Sequence, residues 1–178
     1  MLREDANIPA RTLTPALLLL AMLMAVLAAL SMPAPANAAG ARLDRAERAL
    51  LREMNKTRRA HGLRALRRSR RLQRSADYHC WDMLQANFFA HSSSNGTPFR
   101  RRVKRYARKR RIGENLAYVP TRGNHRGASR VVQMWMNSPA HRAALLSPSF
   151  SRVGLARRIG KWGDFRVAVY TADFASKR

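Results

Sequence analysis

The sequence contains one cysteine, Cys80, among its 178 residues. A lone cysteine cannot form an internal disulfide, which excludes the small disulfide-stabilised class of secreted module and leaves packing as the source of stability. The sequence also lacks an ordinary membrane span, because its apolar run at residues 16–30 is shorter than the roughly 20 residues that a spanning helix needs.

That apolar run is instead typical of a secretory signal peptide. It is followed by Ala36-Asn37-Ala38, which fits the small-x-small cleavage pattern. We predict a signal peptide at residues 1–38 and a single domain at residues 39–178, secreted or envelope-associated, with no transmembrane span after cleavage. An uncleaved N-terminal anchor is the alternative. A domain of about 140 residues is large enough for one hydrophobic core.

Acidic residues are scarce, with 10 Asp and Glu against 35 Lys and Arg and a net charge of +25. A domain this basic associates with polyanions at low salt. The charge is densest in the run 100-RRRVKRYARKRR-111, where we predict a polyanion-binding surface; a solvated basic face is the simpler alternative. The candidate residues are Arg100, Arg101, Arg102, Lys104, Arg105, Arg108, Lys109, Arg110 and Arg111.

Aromatic residues are few, at 7% of the chain, and only Tyr106 lies inside the basic run. Nucleic-acid binding by stacking needs several interleaved aromatic side chains. We therefore expect no physiological nucleic-acid partner, and predict that the basic surface meets anionic envelope components or lipids.

Hydrophobic periodicity predicts a set of helices followed by a hairpin. The predicted helices cover residues 42–62, 69–87, a segment that begins at Pro98 and carries the basic run, 128–137 and 139–146. The predicted strands cover residues 112–119, 152–159 and 165–175, with a turn at 160–164. This order is typical of an α+β fold in which helices cover an antiparallel sheet.

The segment 138-SPAH-141 raises a question of chemistry. Ser138 and Pro139 are typical of the N-cap and first position of a helix, which places His141 in the first turn. The positive end of the helix dipole disfavours a protonated imidazole, and the neutral form is the one that ligates metal or accepts a proton. An ordinary polar residue at a helix start is the alternative.

Several segments together resemble the CAP superfamily (cysteine-rich secretory proteins, antigen 5 and pathogenesis-related 1), also called SCP domains, and above all its cysteine-poor bacterial branch. The matching segments are 55-NKTRRAHGL-63, 83-MLQANFFAHSSSNGTPFRR-102, 113-GENLA-117 and 131-VVQMWMNSPAHRAALLSPSFSRVGLA-156. The resemblance implies an α–β–α sandwich with a three- or four-stranded antiparallel sheet.

The resemblance also implies a cleft with two histidines and two acidic residues. Three of the four positions fall on His91, Glu114 and His141, whereas the second acid is replaced by Ser138. Two imidazoles and a carboxylate suit a divalent metal such as zinc, with Glu114 as a ligand or as the general base for a metal-bound water. Alternatively, Glu114 only receives backbone hydrogen bonds and His91 only caps a turn.

Three further residues have simpler interpretations. Cys80 lies on the apolar face of the second predicted helix, where cysteine behaves as a small hydrophobe. Its neighbour His79 is expected to be half-exposed. Trp162, in a glycine-flanked turn, either dips into a lipid interface or packs as an ordinary turn residue.

Three functions stay open at this point, because one fold supports many functions. The first is a non-enzymatic module that binds a lipid or an envelope polymer through the His/Glu cleft. The second is a metal-dependent hydrolase that uses His91, Glu114 and His141. The third is a cationic effector that binds polyanions or membranes by charge. The incomplete acid set weakens the hydrolase, and a monomer is expected.

Overall fold

A computed structural model describes residues 43–108, 110–121 and 127–176. The predicted signal peptide and its cleavage site lie outside the described residues, as does Lys109 of the basic run. Among the helices of these described ranges, none combines the length and the apolar character that crossing a membrane requires.

Each of the predicted helices is present, with slightly different bounds. They are α1 (Arg45–Ala60), α2 (Arg70–Gln85), α3 (Phe99–Tyr106), α4 (Gly127–Asn137) and α5 (Pro139–Leu145). Helix α1 begins with a capping box, in which Glu47 N donates to Asp44 Oδ1 (2.6 Å) and Asp44 N donates to Glu47 Oε2 (2.9 Å). Helix α3 ends at Tyr106, so it carries only the first part of the basic run.

The sheet in the described residues has four strands: β1 (Arg67–Arg68), β2 (Ile112–Pro120), β3 (Arg152–Trp162) and β4 (Phe165–Ala175). Their order is β1-β3-β4-β2, and β3–β4 and β2–β4 are antiparallel. The two-residue β1, which the sequence did not predict, pairs parallel to β3, so the sheet is mixed. The predicted turn at 160–164 is too long, because Trp162 already pairs with Phe165.

Helices cover both faces of this sheet, as the α–β–α sandwich requires. One hydrophobic cluster joins α1, α4 and α5 to the sheet through Leu50, Met54, Trp135, Leu145, Leu155 and Phe174. The cluster on the other face joins α2 to the sheet through Ala76, Cys80, Met83, Leu116 and Val169. Helix α2 lies so close to β3 that a Cβ on Gly154 would sit 2.0 Å from the Leu72 carbonyl carbon.

Two long polar side chains hold helix α5 in place. Arg58, which is 1% exposed, donates from its guanidinium to the carbonyl oxygens of Leu145 (2.7 Å), Ser147 (3.0 Å) and Phe150 (3.1 Å). At the other end of α5, Asn115 Nδ2 on β2 donates to the His141 carbonyl oxygen at 2.9 Å. The position of His141 relative to β2 is therefore determined by hydrogen bonds at both ends of its helix.

The neighbouring residues Cys80 and His79 are both fully buried. For Cys80 this confirms the simple interpretation, and burial raises the pKa of its thiol to about 12. For His79 the expectation of half-exposure is wrong, because its ring turns inward and Nε2 lies 2.9 Å from the Ala90 carbonyl oxygen. Burial lowers the pKa of His79 to about 3, so the ring is neutral and donates this hydrogen bond.

Candidate functional site

Glu114 is the centre of a buried polar cluster. It lies on β2 with no exposed side-chain surface, and Oε1 accepts a hydrogen bond from His91 Nδ1 at 2.8 Å. Oε2 accepts from the guanidinium of Arg102 on α3. Burial raises the pKa of Glu114, and the positive charge of Arg102 acts in the opposite direction. Both carboxylate oxygens are thus occupied by donors.

The prediction that Arg102 belongs to the polyanion-binding surface is wrong. Arg102 is 2% exposed, unlike Arg100 and Arg101, and so it is not part of a polyanion-binding surface. Its guanidinium also donates to the His91 carbonyl oxygen (2.9 Å) and to Ser93 Oγ (3.2 Å). One side chain therefore ties α3 to β2 and to the loop that carries His91.

Asp173 is a fourth member of the cluster that the sequence did not indicate. It lies directly opposite Glu114 in the β2–β4 register and is completely buried. Among the described residues, neither of its oxygens meets a donor with good hydrogen-bond geometry, although Glu114 and Ser75 are close enough to affect its pKa. Burial raises the pKa of Asp173 well above its ordinary value, and the charge of Glu114 raises it further. Both effects favour the protonated form of Asp173.

The two predicted histidines face each other in the same cleft. The ring centroids of His91 and His141 are 6.5 Å apart, and about half of the His91 side chain is exposed. Burial lowers the pKa of both rings; the charge of Arg102 lowers that of His91 further, and His91 lowers that of His141. Both imidazoles are neutral at neutral pH, as the helix-start argument expected for His141, although burial is the larger cause.

Two further buried residues of α2, Asp82 and His79, form hydrogen bonds with the loop that carries His91. The Asp82 carboxylate accepts from Ser94 N (3.0 Å) and from Ser94 Oγ (2.6 Å). His79 donates to the carbonyl of Ala90, the residue just before His91. Their positions on α2 gave a weak indication of this role, because a polar residue on the buried face of a helix usually has a hydrogen-bond partner.

The exposed rings of Phe89 and Tyr118 form a patch with Trp162, here called the aromatic cluster. The ring centroids are 5.1 Å apart for Phe89 and Tyr118, 5.0 Å for Tyr118 and Trp162, and 5.9 Å for Phe89 and Trp162. Phe89 and Tyr118 remain 42% and 44% exposed. Trp162 is half-buried, and its indole N–H donates to the Met83 carbonyl at 3.3 Å. It thus packs against α2 and contributes one wall of the exposed patch.

The aromatic cluster and the histidines lie at different positions along strand β2, through Tyr118 and Glu114 respectively. Tyr118 and Glu114 are four residues apart on β2, so their side chains share one face of the strand about 13 Å apart. Strand β2 is at the edge of the sheet, and the loop from Phe89 to His91 runs beside it. Along this edge of the sheet, the polar end consists of His91, Glu114 and His141, and the aromatic end lies at Tyr118.

The donor set was tested against the predicted zinc. Two neutral imidazoles suit the ion, but Glu114 does not suit the role of third ligand here, since Arg102 and His91 occupy its oxygens. No group of three or more His, Cys, Asp or Glu side chains in the described ranges has the arrangement of a metal site. Zinc binding stays a prediction that a titration decides.

Comparison with known proteins places this geometry in a family. The model of the cysteine-rich secretory protein (CAP) family matches residues 51–174. Over 110 residues, the chain is 31% identical to the Bacillus subtilis protein YkwD and 30% identical to the membrane protein YlbC of the same organism. The match covers 61% of this chain in both cases, but 41% of YkwD and 30% of YlbC, so this chain corresponds to less than half of either protein.

Solved structures agree on the fold. An extracellular protein containing an SCP domain from Bacillus anthracis aligns with a TM-score of 0.59 at 27% identity, covering 74% of this chain and 40% of that chain. An outer surface protein from Borrelia burgdorferi aligns with a TM-score of 0.65 at 22% identity, covering 78% and 99% of the two chains. At that identity the second likeness concerns the fold alone.

Proposed function

The chain belongs to the cysteine-rich secretory protein (CAP) family, and from that premise we propose that it is a non-enzymatic binding module acting at or outside a bacterial envelope. Its ligand is an amphipathic molecule of the lipid class. The extracellular location draws support from the predicted signal peptide and from the Bacillus anthracis relative described as extracellular.

The observation that carries this proposal is the aromatic end of the cleft. Large exposed aromatic rings that touch one another are unusual on a soluble surface and are typical of binding sites for apolar groups. On the same strand face, Glu114 lies at the polar end, next to the neutral imidazoles of His91 and His141. A molecule with an apolar chain and a hydrogen-bonding head matches this division over about 13 Å.

The state of Glu114 argues for binding over hydrolysis. A general base needs a free lone pair within reach of the proton that it removes. Both Glu114 oxygens accept hydrogen bonds, from Arg102 and His91, and the side chain has no exposed surface. We infer that Glu114 orients the His91 ring so that Nε2 faces the cleft as a hydrogen-bonding group for the head of the ligand.

The test is calorimetric binding of oleate, an anionic single-chain amphiphile, at moderate salt and below its micelle concentration. The variant Phe89→Ala/Tyr118→Ala should weaken binding by about ten-fold or more, since each ring contributes on the order of 1.5–3 kcal/mol when fully buried. The matched control is Tyr78→Ala, which removes a ring that is 38% exposed on α2 and lies outside the aromatic cluster. Equal loss in both variants, or no binding by the unaltered protein, would exclude the aromatic cluster as the site.

One observation favours the hydrolase as a second candidate. His91 Nδ1 is bonded to a carboxylate, the arrangement that sets the tautomer of a histidine acting through its other nitrogen. A screen with short-chain esters and with peptide and glycan substrates tests it. Turnover that is abolished by His91→Ala and by Glu114→Gln would replace the binding module with an enzyme.

A further inference from the structure

Five arginines converge on one cavity of about 450 Å3. We call it the arginine pocket, and its cationic lining consists of Arg68, Arg71, Arg105, Arg108 and Arg152. They come from β1, the first turn of α2, the end of α3, the segment after α3 and the start of β3. Tyr106 adds a hydroxyl group, and no acidic side chain of the described residues lines this cavity. The arginine pocket shares no lining residue with the His/Glu cleft.

The fold creates this convergence. The parallel pairing of β1 with β3 places Arg67 beside Arg152 and Arg68 beside Val153. Ser69 N then donates to Val153 O at 2.8 Å, and α2 begins at the next residue. Arg71, in the first turn of α2, therefore lies close to the β1–β3 pair. Helix α3 packs against α2 through Val103 and Leu72. Three segments far apart in sequence thus present guanidinium groups to one space.

Four of these five charges have no acidic partner among the described residues. In the described ranges, Arg71, Arg105, Arg108 and Arg152 form no salt bridge with a carboxylate. Arg68 donates to the neutral Gln73 side chain at 2.7 Å. Guanidinium groups stay charged at any physiological pH, so their mutual repulsion persists. Such crowding opposes folding and is relieved when an anion binds.

A second cavity shows that this imbalance is specific to the arginine pocket. That cavity, of about 680 Å3 between α2 and β3, is also lined by several basic residues, among them Arg157 and Arg158. It contains acids as well, and Arg158 forms a two-point pair with the Asp77 carboxylate, both distances being 2.8 Å. Part of the charge there is therefore neutralised within the protein.

The chemistry of the lining selects the type of anion. Planar guanidinium groups bind phosphate oxygens with two parallel hydrogen bonds each. Burial raises the pKa of the Tyr106 hydroxyl, which therefore remains protonated and able to donate. The volume lies in the range of small-ligand sites and exceeds what a single phosphate ion needs. We propose that the arginine pocket binds a phosphate-bearing anion with two or more negative charges, either free or as a lipid headgroup.

The test compares two variants that remove equal charge. Arg71→Gln/Arg105→Gln alters the arginine pocket, whereas Arg100→Gln/Arg101→Gln alters two exposed arginines at the start of α3 that do not line it. Binding of pyrophosphate is measured by calorimetry at about 150 mM salt, where surface charge is screened beyond about 8 Å. We expect saturable binding, a rise in Kd of about ten-fold or more in the first variant, and less than two-fold in the second.

Folding is checked by thermal melting of both variants. Because the substitution removes like charges, the Tm of Arg71→Gln/Arg105→Gln should not fall, and pyrophosphate should raise the Tm of the unaltered protein but not of this variant. Equal weakening of pyrophosphate binding in both variants would show that only diffuse charge is involved and would overturn the proposal. Absence of saturable binding by the unaltered protein would overturn it as well.

Vesicles distinguish the two sources of phosphate. Vesicles of phosphatidylcholine containing phosphatidic acid are tested for binding and for competition by pyrophosphate. Vesicle binding that pyrophosphate displaces and that Arg71→Gln/Arg105→Gln loses supports the proposal with a lipid headgroup as ligand. Vesicle binding that this variant retains, alongside lost pyrophosphate binding, supports the proposal with a free phosphate compound as ligand.

Discussion

Replacing Arg102 with methionine tests the buried cluster most directly. Arg102 is 2% exposed, pairs with Glu114 and lies close enough to Asp173 to lower its pKa. Methionine keeps an unbranched apolar stem but removes the guanidinium group and its charge. Breaking a buried ion pair by removing one partner costs about 3–5 kcal/mol, because the remaining charge stays buried without compensation. For a domain of this size, the Tm should fall by about 10–20 °C.

The loss should depend on pH in a defined direction. Without Arg102, the folded-state pKa values of Glu114 and Asp173 rise further above their unfolded values. A carboxyl group with a raised folded-state pKa gives stability that is present below the unfolded pKa and is lost as pH increases through the folded pKa. The deficit of Arg102→Met relative to the unaltered protein should therefore be largest near pH 7 and smaller near pH 4.

Urea unfolding at several pH values provides the measurement, and two further variants complete the design. Arg101→Met, one residue earlier and exposed, should change the free energy of unfolding by less than about 0.5 kcal/mol. Adding Glu114→Gln to Arg102→Met should restore part of the lost stability at neutral pH, since it removes the stranded charge. A deficit no larger than that of Arg101→Met, or one that does not change with pH, would refute the reasoning.

Three further predictions concern the protonation of His79, the packing at Gly154 and the binding of zinc. Burial lowers the pKa of His79 to about 3, so the folded state disfavours its protonation. The free energy of unfolding should therefore fall as pH decreases from about 6.5 towards 3, by up to about 1.4 kcal/mol per pH unit. His79→Gln should reduce this slope in urea titrations, and an unchanged slope would contradict the prediction. Gly154→Ala should lower the free energy of unfolding by about 1–3 kcal/mol or more in thermal melts, since its Cβ would meet the backbone of Leu72 at 2.0 Å. An unchanged stability would mean that α2 and β3 are less closely packed. Zinc titration should show binding weaker than micromolar, because Glu114 is paired with Arg102 and only two imidazoles remain as ligands. A micromolar site that is lost in both His91→Ala and His141→Ala would instead support a three-ligand site.

The cleft illustrates how much could be predicted from local patterns. His91, Glu114 and His141 lie in segments with a recognisable family pattern, and the structure brings them into one cleft. Asp173 lies in a strand where alternation alone assigns it to a buried face, and nothing local connects it to Glu114. Their pairing is a matter of β2–β4 register, which depends on the whole sheet.

The basic residues show the opposite case. Within the run 100–111, Arg102 has the same side chain as its neighbours, yet it alone among Arg100, Arg101 and Arg102 is buried. Which arginine turns inward depends on the face that α3 presents to the sheet, and which of them meet in the arginine pocket depends on how β1, α2 and α3 pack together.

The sequence by itself determined the helices and the main strands, because periodicities of 3.6 and 2 act between near neighbours in the chain, and its resemblance to the CAP family implied the sandwich. Only the tertiary structure decided the environment of individual charges: the burial of Arg58, Arg102 and His79, the pairing of Glu114 with Asp173, and the grouping of five arginines around one cavity. The physical reason is that the energy of a charge depends on its burial and on which groups lie within a few ångströms of it, and in a folded chain those groups come from distant segments.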